Sequence, residues 1–242
     1  MPTSTAVSRL LRQVMFVTVI GIVTPALAQS QGTAQDHSVK HRNDCRLAQQ
    51  VLMHGRPANR REWAINYSNN CGALGGESLA AILPRYRNVS APGGEMEDVV
   101  QSAAFLIDRR IFDAALLLAA DEGGASVARV QAIRIVYHQL NPASYYDYPA
   151  FITDSRSPRV EKLPSIVSEA PLTGTPLGDD ALERAAQMAR GVITRASTSA
   201  SVRQAGSFLL SDVEDALLRA RLCGRGVSAA ECDRRVDEWE AP

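Results

Sequence analysis

The chain has 242 residues, with 26 basic and 26 acidic side chains, so its formal net charge is zero. This balance leaves no excess of basic side chains for binding nucleic acid or anionic lipid, and we expect neither as a partner. Aromatic residues make up only 5% of the sequence, while Ala and Leu are frequent. That composition favours helices over sheets.

The first 28 residues have the features of a secretory signal peptide. Arg9 and Arg12 precede an apolar run over residues 14–24, and Ala26 and Ala28 follow it. This Ala-x-Ala pattern predicts export with cleavage after Ala28; the alternative is an uncleaved anchor helix. The apolar run is shorter than the roughly 20 residues of a membrane span, which favours a cleaved signal peptide. No later stretch is long and apolar enough to span a bilayer, so we expect no transmembrane segment after cleavage and a periplasmic or secreted protein.

All four cysteines follow the predicted cleavage point. An even number of cysteines in an exported chain predicts two structural disulfides. Of the three pairings that four cysteines allow, we favour Cys45 with Cys71 and Cys223 with Cys232, because each pair is close in sequence and closes a modest loop. The chain has no Cys-x-x-Cys and no zinc-like spacing, so we predict no metal site there.

Residues 29–42 are polar and lack periodicity, which predicts a flexible tail. The N-terminal helical region, residues 43–140, has apolar side chains at helical spacing, most clearly over residues 125–140. The pattern over residues 95–121 fits either one bent helix or two. The glycine pair Gly75-Gly76 predicts the end of one helix, with a short helix following over residues 77–83.

Three segments have the pattern of a capping box, in which a polar side chain caps a helix and a glutamate three residues later reaches back. They begin at Asn59, Ser211 and Ser228, and each predicts the start of a helix. The last two belong to the C-terminal helical region, residues 180–242.

The two helical regions are joined by residues 141–179, which contain six prolines. So long an irregular connection predicts either a linker between two helical halves or a loop packed across a surface. Three tyrosines near its start, Tyr145, Tyr146 and Tyr148, are candidate binding residues, because tyrosine offers contact area and a polar tip. The alternative is that they pin this loop across the helices.

Two stretches, one on either side of the connection, match each other. Each has an apolar helix, a small turn, and a second helix with an arginine, then a small residue, then an aliphatic residue at fixed spacing. These positions are Arg129, Ala132 and Val136 in the first stretch and Arg203, Gly206 and Leu210 in the second.

The pattern resembles HEAT-like helical repeats over about a third of the chain. The resemblance implies that Arg129 and Arg203 are structural, and that the small residues let paired helices approach closely. The predicted fold class is therefore all-α, either a short α-solenoid of helix pairs or an irregular helical bundle, with a long Pro-rich connection.

The sequence has no phosphate-binding loop, no dinucleotide fingerprint and no His-Glu-x-x-His motif. We accordingly predict no catalytic residues, no cofactor and no metal ligands. The favoured function is an exported helical binding or scaffold protein of the bacterial envelope, with another envelope protein as the candidate partner. The alternative is an envelope enzyme or enzyme accessory whose site is assembled from distant helices, since such a site leaves no local motif.

Overall fold

The computed structural model describes residues 25–141, 172–223 and 227–240, and within them the chain is all-α, as predicted. Two short 3₁₀ turns, Ala58–Arg60 and Leu83–Tyr86, and two short strands accompany the helices. The helices are α1 (Pro25–His54), α2 (Arg61–Ser68), α3 (Gly72–Ile82), α4 (Glu95–Ala104), α5 (Arg109–Ala120), α6 (Ser126–Leu140), α7 (Ala181–Thr194), α8 (Ala200–Leu222) and α9 (Ala229–Glu240).

The chain divides into two compact units, residues 1–43 and residues 44–242. In the first unit the described residues are helical from Pro25 onward. Residues 29–42, predicted as a flexible tail, are thus part of helix α1 in the structure, and their flexibility stays a prediction. Proline is favoured in the first turn of a helix, and no proline interrupts the chain again until Pro57.

The helices of the second unit stack in two layers. In one layer α3 packs against α5 and α5 against α7; in the other, α4 packs against α6 and α6 against α8. Across the layers, α5 packs on α6 and α7 on α8. Helices from both sides of the Pro-rich connection therefore share one apolar core.

Small side chains bring α7 and α8 together. A Cβ added at Gly206 of α8 would lie 3.2 Å from Cγ1 of Val192 on α7, closer than side chains normally approach. Glycine at this position therefore suits the observed helix separation, since even a Cβ here would require Val192 to shift by a few tenths of an ångström.

Helix α6 lies at the centre of the second unit. Every residue from Ala128 to Gln139 is buried, including the polar side chains of Arg129, Gln131, Arg134 and His138. With no face exposed to solvent over these residues, α6 buries the polar side chains between its apolar positions as well. Its polar side chains must find partners inside the protein.

The prediction that Gly75 and Gly76 end a helix is wrong, because both lie within α3. A Cβ at Gly75 would overlap the carbonyl oxygen of Ser68, and one at Gly76 would overlap the carboxylate of Asp108. The two glycines allow other parts of the chain to approach α3 closely, and this requirement prevails over their low helix propensity.

Residues 95–121 form two helices, α4 and α5, with a short strand between them. This strand, β1 (Leu106–Ile107), pairs in parallel with β2 (Leu172–Thr173). The sequence predicts no sheet, because two-residue strands are too short to show an alternating pattern. The pairing fixes the point at which the chain returns from the connection to the core.

Of the three predicted capping boxes, only the one at Ser228 has its cap: the backbone N–H of Glu231 donates to Ser228 Oγ over 3.3 Å. Asn59 lies within a 3₁₀ turn and Ser211 lies inside α8, so neither begins an α-helix. The side chains that cap α5 and α8 are those of Asp108 and Ser199. A short local pattern does not determine whether a preceding helix simply continues through it.

The predicted disulfide pairing is confirmed. Cys45 bonds Cys71, with their Cα atoms 5.5 Å apart, and Cys223 bonds Cys232, with their Cα atoms 5.1 Å apart. The first bridge joins α1 to the turn before α3, and the second joins the end of α8 to α9.

Candidate functional site

A groove of about 420 Å³ lies between α5 and α7 on the surface of their layer. Its apolar lining comes from Leu116, Leu117 and Ala120 of α5 and from Met188 and Gly191 of α7. Leu116 and Leu117 lie four and three positions before Ala120, and Met188 lies three positions before Gly191, so each set lies on one side of its helix.

Two small residues in the lining leave space in the groove. Ala120 offers only a methyl group, and Gly191 offers no side chain. A Cβ added at Gly191 would meet only Nη2 of Arg195, at 4.0 Å. The groove therefore exists because small side chains occupy the positions where α5 and α7 face each other.

An ion pair stands at the end of the groove nearest the start of the two helices. Arg184 Nη1 on α7 lies 2.7 Å from Asp113 Oδ1 on α5. The same guanidinium lies over the ring of Phe112, 5.6 Å from its centroid. These contacts hold Arg184 in a defined position, since the ion pair and the cation–π contact act on one planar group.

A second arginine stands at the other end. Arg195 Nε lies 3.2 Å from Glu122 Oε1, and Arg195 Nη1 donates to the carbonyl oxygen of Ala120 over 3.1 Å. Within the described ranges, Nη2 of Arg195 has no hydrogen-bond acceptor. It lies beside Gly191, so a fixed donor is available to an occupant of the groove.

Leu117 is the most exposed of the large apolar side chains in the described part of the chain, at 75%. A single exposed leucine is ordinary on a protein surface. Leu117 differs because it borders a groove that already has an apolar floor, which extends the apolar surface that an occupant could cover.

A separate cluster centres on Asp108, whose side chain is fully buried. One carboxylate oxygen accepts from the backbone N–H of Arg110 and the other from the backbone N–H of Thr175, each over 2.8 Å. The guanidinium of Arg110 donates to both oxygens, over 3.0 Å and 2.8 Å. Gly76 and Gly174 pack so closely on this carboxylate that neither could carry a Cβ.

Burial alone would raise the pKa of Asp108, but the hydrogen bonds from Arg110 and Thr175 outweigh it and lower the pKa below its ordinary value. The backbone N–H of Asp108 donates to Oε1 of Gln139 over 2.9 Å, which ties the cluster to α6. Because both oxygens already accept hydrogen bonds, Asp108 joins α5, α6 and the segment just after β2 instead of presenting a reactive group.

Two further groups have strongly shifted pKa values. Burial, together with the positive charge of Arg134, lowers the pKa of His138 to about 3. Burial and a 2.8 Å hydrogen bond to Glu95 raise the pKa of Tyr86. Neither residue lines the groove. These two perturbed ionisable groups and the open surface of the groove thus lie apart.

The residues that the sequence singles out lie elsewhere. Arg129 is buried on α6, and its Nε donates to the carbonyl oxygen of Ala119 at the end of α5 over 3.0 Å. Arg203 is half-buried near the start of α8. The structural role of both stays a prediction. Tyr145, Tyr146 and Tyr148 lie outside the described residues.

Sequence reasoning missed the groove. Leu117 reads as one more apolar residue of an amphipathic helix, and Arg184 and Arg195 read as ordinary surface charges. One signal was available: along α7, Arg184, Met188, Gly191 and Arg195 share a single helical face on which a glycine sits between two arginines. Its meaning depends on α5, which lies before the long connection.

Among the described helices, none combines the length and the apolarity that crossing a membrane requires. In the same ranges, no three His, Cys, Asp or Glu side chains come together in an arrangement that could hold a metal ion. Comparison with protein-family models, curated proteins and solved structures gives no match.

Proposed function

We propose that this chain is an exported helical binding protein of the bacterial envelope, and that the groove between α5 and α7 is its binding surface. The observation that carries the proposal is the exposed Leu117 beside an apolar floor, with an arginine held in place at each end. Ligand sites commonly combine such apolar walls with a few well-positioned polar groups.

Export is supported by the features of the first 28 residues and by the two disulfides. Disulfides form and persist in oxidising compartments such as the bacterial periplasm. Together they favour a periplasmic or secreted protein.

N-terminal sequencing tests export. The protein recovered from the periplasm or the medium of an expressing bacterium should begin at Gln29. Replacing the small residue before the cleavage point, in Ala28→Leu, should cause the uncleaved precursor to accumulate. An intact N-terminus on wild-type protein that stays in the cytoplasm would reject the proposal of export.

We extend the proposal to the architecture, as a short α-solenoid of helix pairs. It is supported by the two layers, in which α5 and α6 stack beside α7 and α8. Stacked helix pairs of this kind present extended surfaces to partners. The groove lies on such a surface, between neighbouring helices of one layer.

Titration with N-phenyl-1-naphthylamine, a neutral apolar dye whose fluorescence rises in apolar surroundings, tests binding at the groove. The mature protein should bind the dye, and Leu117→Asp should weaken binding at least about tenfold, since it replaces apolar contact area with a charge. Leu74→Asp is the matched control, because Leu74 is an exposed leucine of α3, in the same layer but outside the groove. Equal binding by both variants would remove the groove from the proposal.

A further inference from the structure

We infer that the groove between α5 and α7 takes an amphiphile that has one short apolar chain and a terminal carboxylate. This inference rests on the proposed function, since it names the ligand class for the same groove. It follows from the dimensions of the groove, from the nature of its walls and from the charges at its ends.

The dimensions fit a small ligand. The volume of about 420 Å³ lies in the range of roughly 300–1,000 Å³ that small-molecule sites occupy. From Asp113 to Ala120, at a rise of 1.5 Å per residue, the groove runs for about 10 Å along α5. That length corresponds to about two helical turns, and an ion pair stands at each end, which suits a short chain better than a long partner helix.

The walls fit an aliphatic chain. Between the two ion pairs the lining is formed by Leu116, Leu117, Met188 and the small residues Ala120 and Gly191. Such walls stabilise an apolar chain in proportion to the area that both remove from water. A strongly polar ligand body would lose its contacts with water and meet mainly apolar side chains along this stretch.

The charge at the Arg195 end fits a carboxylate. Glu122 and the carbonyl oxygen of Ala120 already fix Nε and Nη1, which leaves Nη2 beside Gly191 with no acceptor among the described residues. A carboxylate that accepts from Nη2 would form a charge-assisted hydrogen bond with a donor already in position. Glu122 is 58% exposed, so water screens much of its charge from the groove.

The Arg184 end is less available to a ligand head group. Its guanidinium already contacts Asp113 over 2.7 Å and the ring of Phe112. Of the charged residues that line the groove, two are arginines and one is an aspartate; Asp113 balances Arg184, so the excess positive charge of the lining is that of Arg195 and disfavours a cationic head group there. The geometry therefore places the carboxylate at Arg195 and the chain end towards Arg184.

Displacement of the bound dye from the full mature protein tests this inference. Decanoate, decanol and decylamine share one chain and carry a carboxylate, a hydroxyl and an ammonium group at neutral pH. We expect decanoate to displace the dye at a concentration at least about tenfold lower than decylamine does, with decanol in between. This comparison uses wild-type protein alone and so does not depend on any variant folding.

A substitution at Arg195 tests whether this residue causes the preference for decanoate. Arg195→Gln should weaken the binding of decanoate about tenfold and leave the binding of decanol unchanged, since the variant loses the charge-assisted hydrogen bond that only a carboxylate makes with Nη2. Arg190→Gln is the matched control, because Arg190 lies on α7, pairs with Glu214 over 2.8 Å and does not line the groove. Arg190→Gln should change the binding of neither decanoate nor decanol.

Equal displacement by decanoate and decylamine, or a decanoate preference that survives Arg195→Gln, would overturn the inference. So would failure of all three compounds to displace a dye whose binding still depends on Leu117. In that case the groove remains a binding surface and its occupant is of another class, such as a helix of a protein partner. Dye binding that is insensitive to Leu117→Asp would instead reject the proposed function itself.

Discussion

Replacing Asp108 with asparagine tests how the two helical regions are joined. The substitution keeps the size of the side chain but turns one hydrogen-bond acceptor into a donor. One oxygen of Asp108 accepts from the backbone N–H of Arg110 and the other from that of Thr175, each over 2.8 Å. The amide group of asparagine can serve only one of these donors, so the other loses its acceptor inside the protein.

The expected loss can be worked out from these contacts. Asp108 is fully buried, and a buried donor left without an acceptor costs about 1–3 kcal/mol. The lost pairing with the guanidinium of Arg110 adds less, because that side chain is 37% exposed and screened by water. Asp108→Asn should therefore lower the free energy of unfolding by about 1–4 kcal/mol at neutral pH.

The loss should depend on pH with a definite sign. Hydrogen bonds from Arg110 and Thr175 lower the pKa of Asp108 in the folded protein, despite the opposing effect of burial. The carboxylate therefore contributes its full stabilisation above the ordinary pKa of aspartate and loses it as the pH falls through the lower folded value. The difference between wild type and Asp108→Asn should shrink as the pH falls below about 4.

Urea unfolding followed by circular dichroism, from neutral to acid pH, measures both effects. Asp215→Asn is the control, because Asp215 is 52% exposed and pairs with Arg219 on the surface of α8. It should change the free energy of unfolding by less than about 1 kcal/mol. If Asp108→Asn destabilised the protein no more than this control, the hydrogen bonds of Asp108 to Arg110 and Thr175 would not stabilise the fold, and the argument from its burial would be refuted.

Two further predictions concern stability. Serine replacements that remove the Cys45–Cys71 bridge should lower the free energy of unfolding by about 3.5 kcal/mol, and those that remove Cys223–Cys232 by about 2.6 kcal/mol, because the first bridge closes the longer loop. Urea unfolding measures both losses, and equal losses or the reverse order would contradict this prediction. Burial lowers the pKa of His138 to about 3, so between about pH 6.5 and pH 3 only the unfolded chain binds a proton at this residue, and the wild-type protein loses stability as the pH falls. His138→Phe removes this group and should make the free energy of unfolding less dependent on pH in that range. Wild type should lose up to about 1.4 kcal/mol per pH unit there through this group, and identical pH profiles for the two proteins would refute the assignment.

Features that depend on neighbours along the chain were predictable. The even number of cysteines and the short separation within each pair gave the correct disulfides. Apolar spacing gave α6 within a residue of its observed start at Ser126 and its end at Leu140. In each case the stabilising partners lie within one loop or one helix, so the sequence contains the whole interaction.

Features that depend on distant residues were not predictable in the same way. Gly75 and Gly76 look like a helix end because glycine weakens helices, yet they are needed where Ser68 and Asp108 approach α3. The pairing of Leu106 with Leu172 joins the segment between α4 and α5 to a residue of the connection that follows α6. Local propensity carries no information about such approaches, because the partner is fixed only when the chain folds.

The groove depends on the same kind of long-range placement. Its two walls come from α5 and α7, and the register between them is set by the shared core and not by any adjacent residues. Only after Arg195 is seen to lie against Ala120 and Glu122 does its role at the end of a groove become apparent. Before that, an arginine at the end of a helix predicts a favourable dipole contact and nothing more.

Asp108 and Arg195 show how hydrogen bonding distinguishes a charged residue that stabilises the fold from one that can bind a ligand. Both are charged, and both are held by groups far away in the sequence. Asp108 is fully buried and both of its oxygens accept hydrogen bonds, so nothing is left for a ligand. Arg195 is 40% exposed and is held through Nε and Nη1, while Nη2 faces Gly191 with no acceptor in the described part of the chain. Since a donor held in place without an acceptor gains most when a ligand supplies one, Arg195 and not Asp108 is the charge expected to recognise a partner.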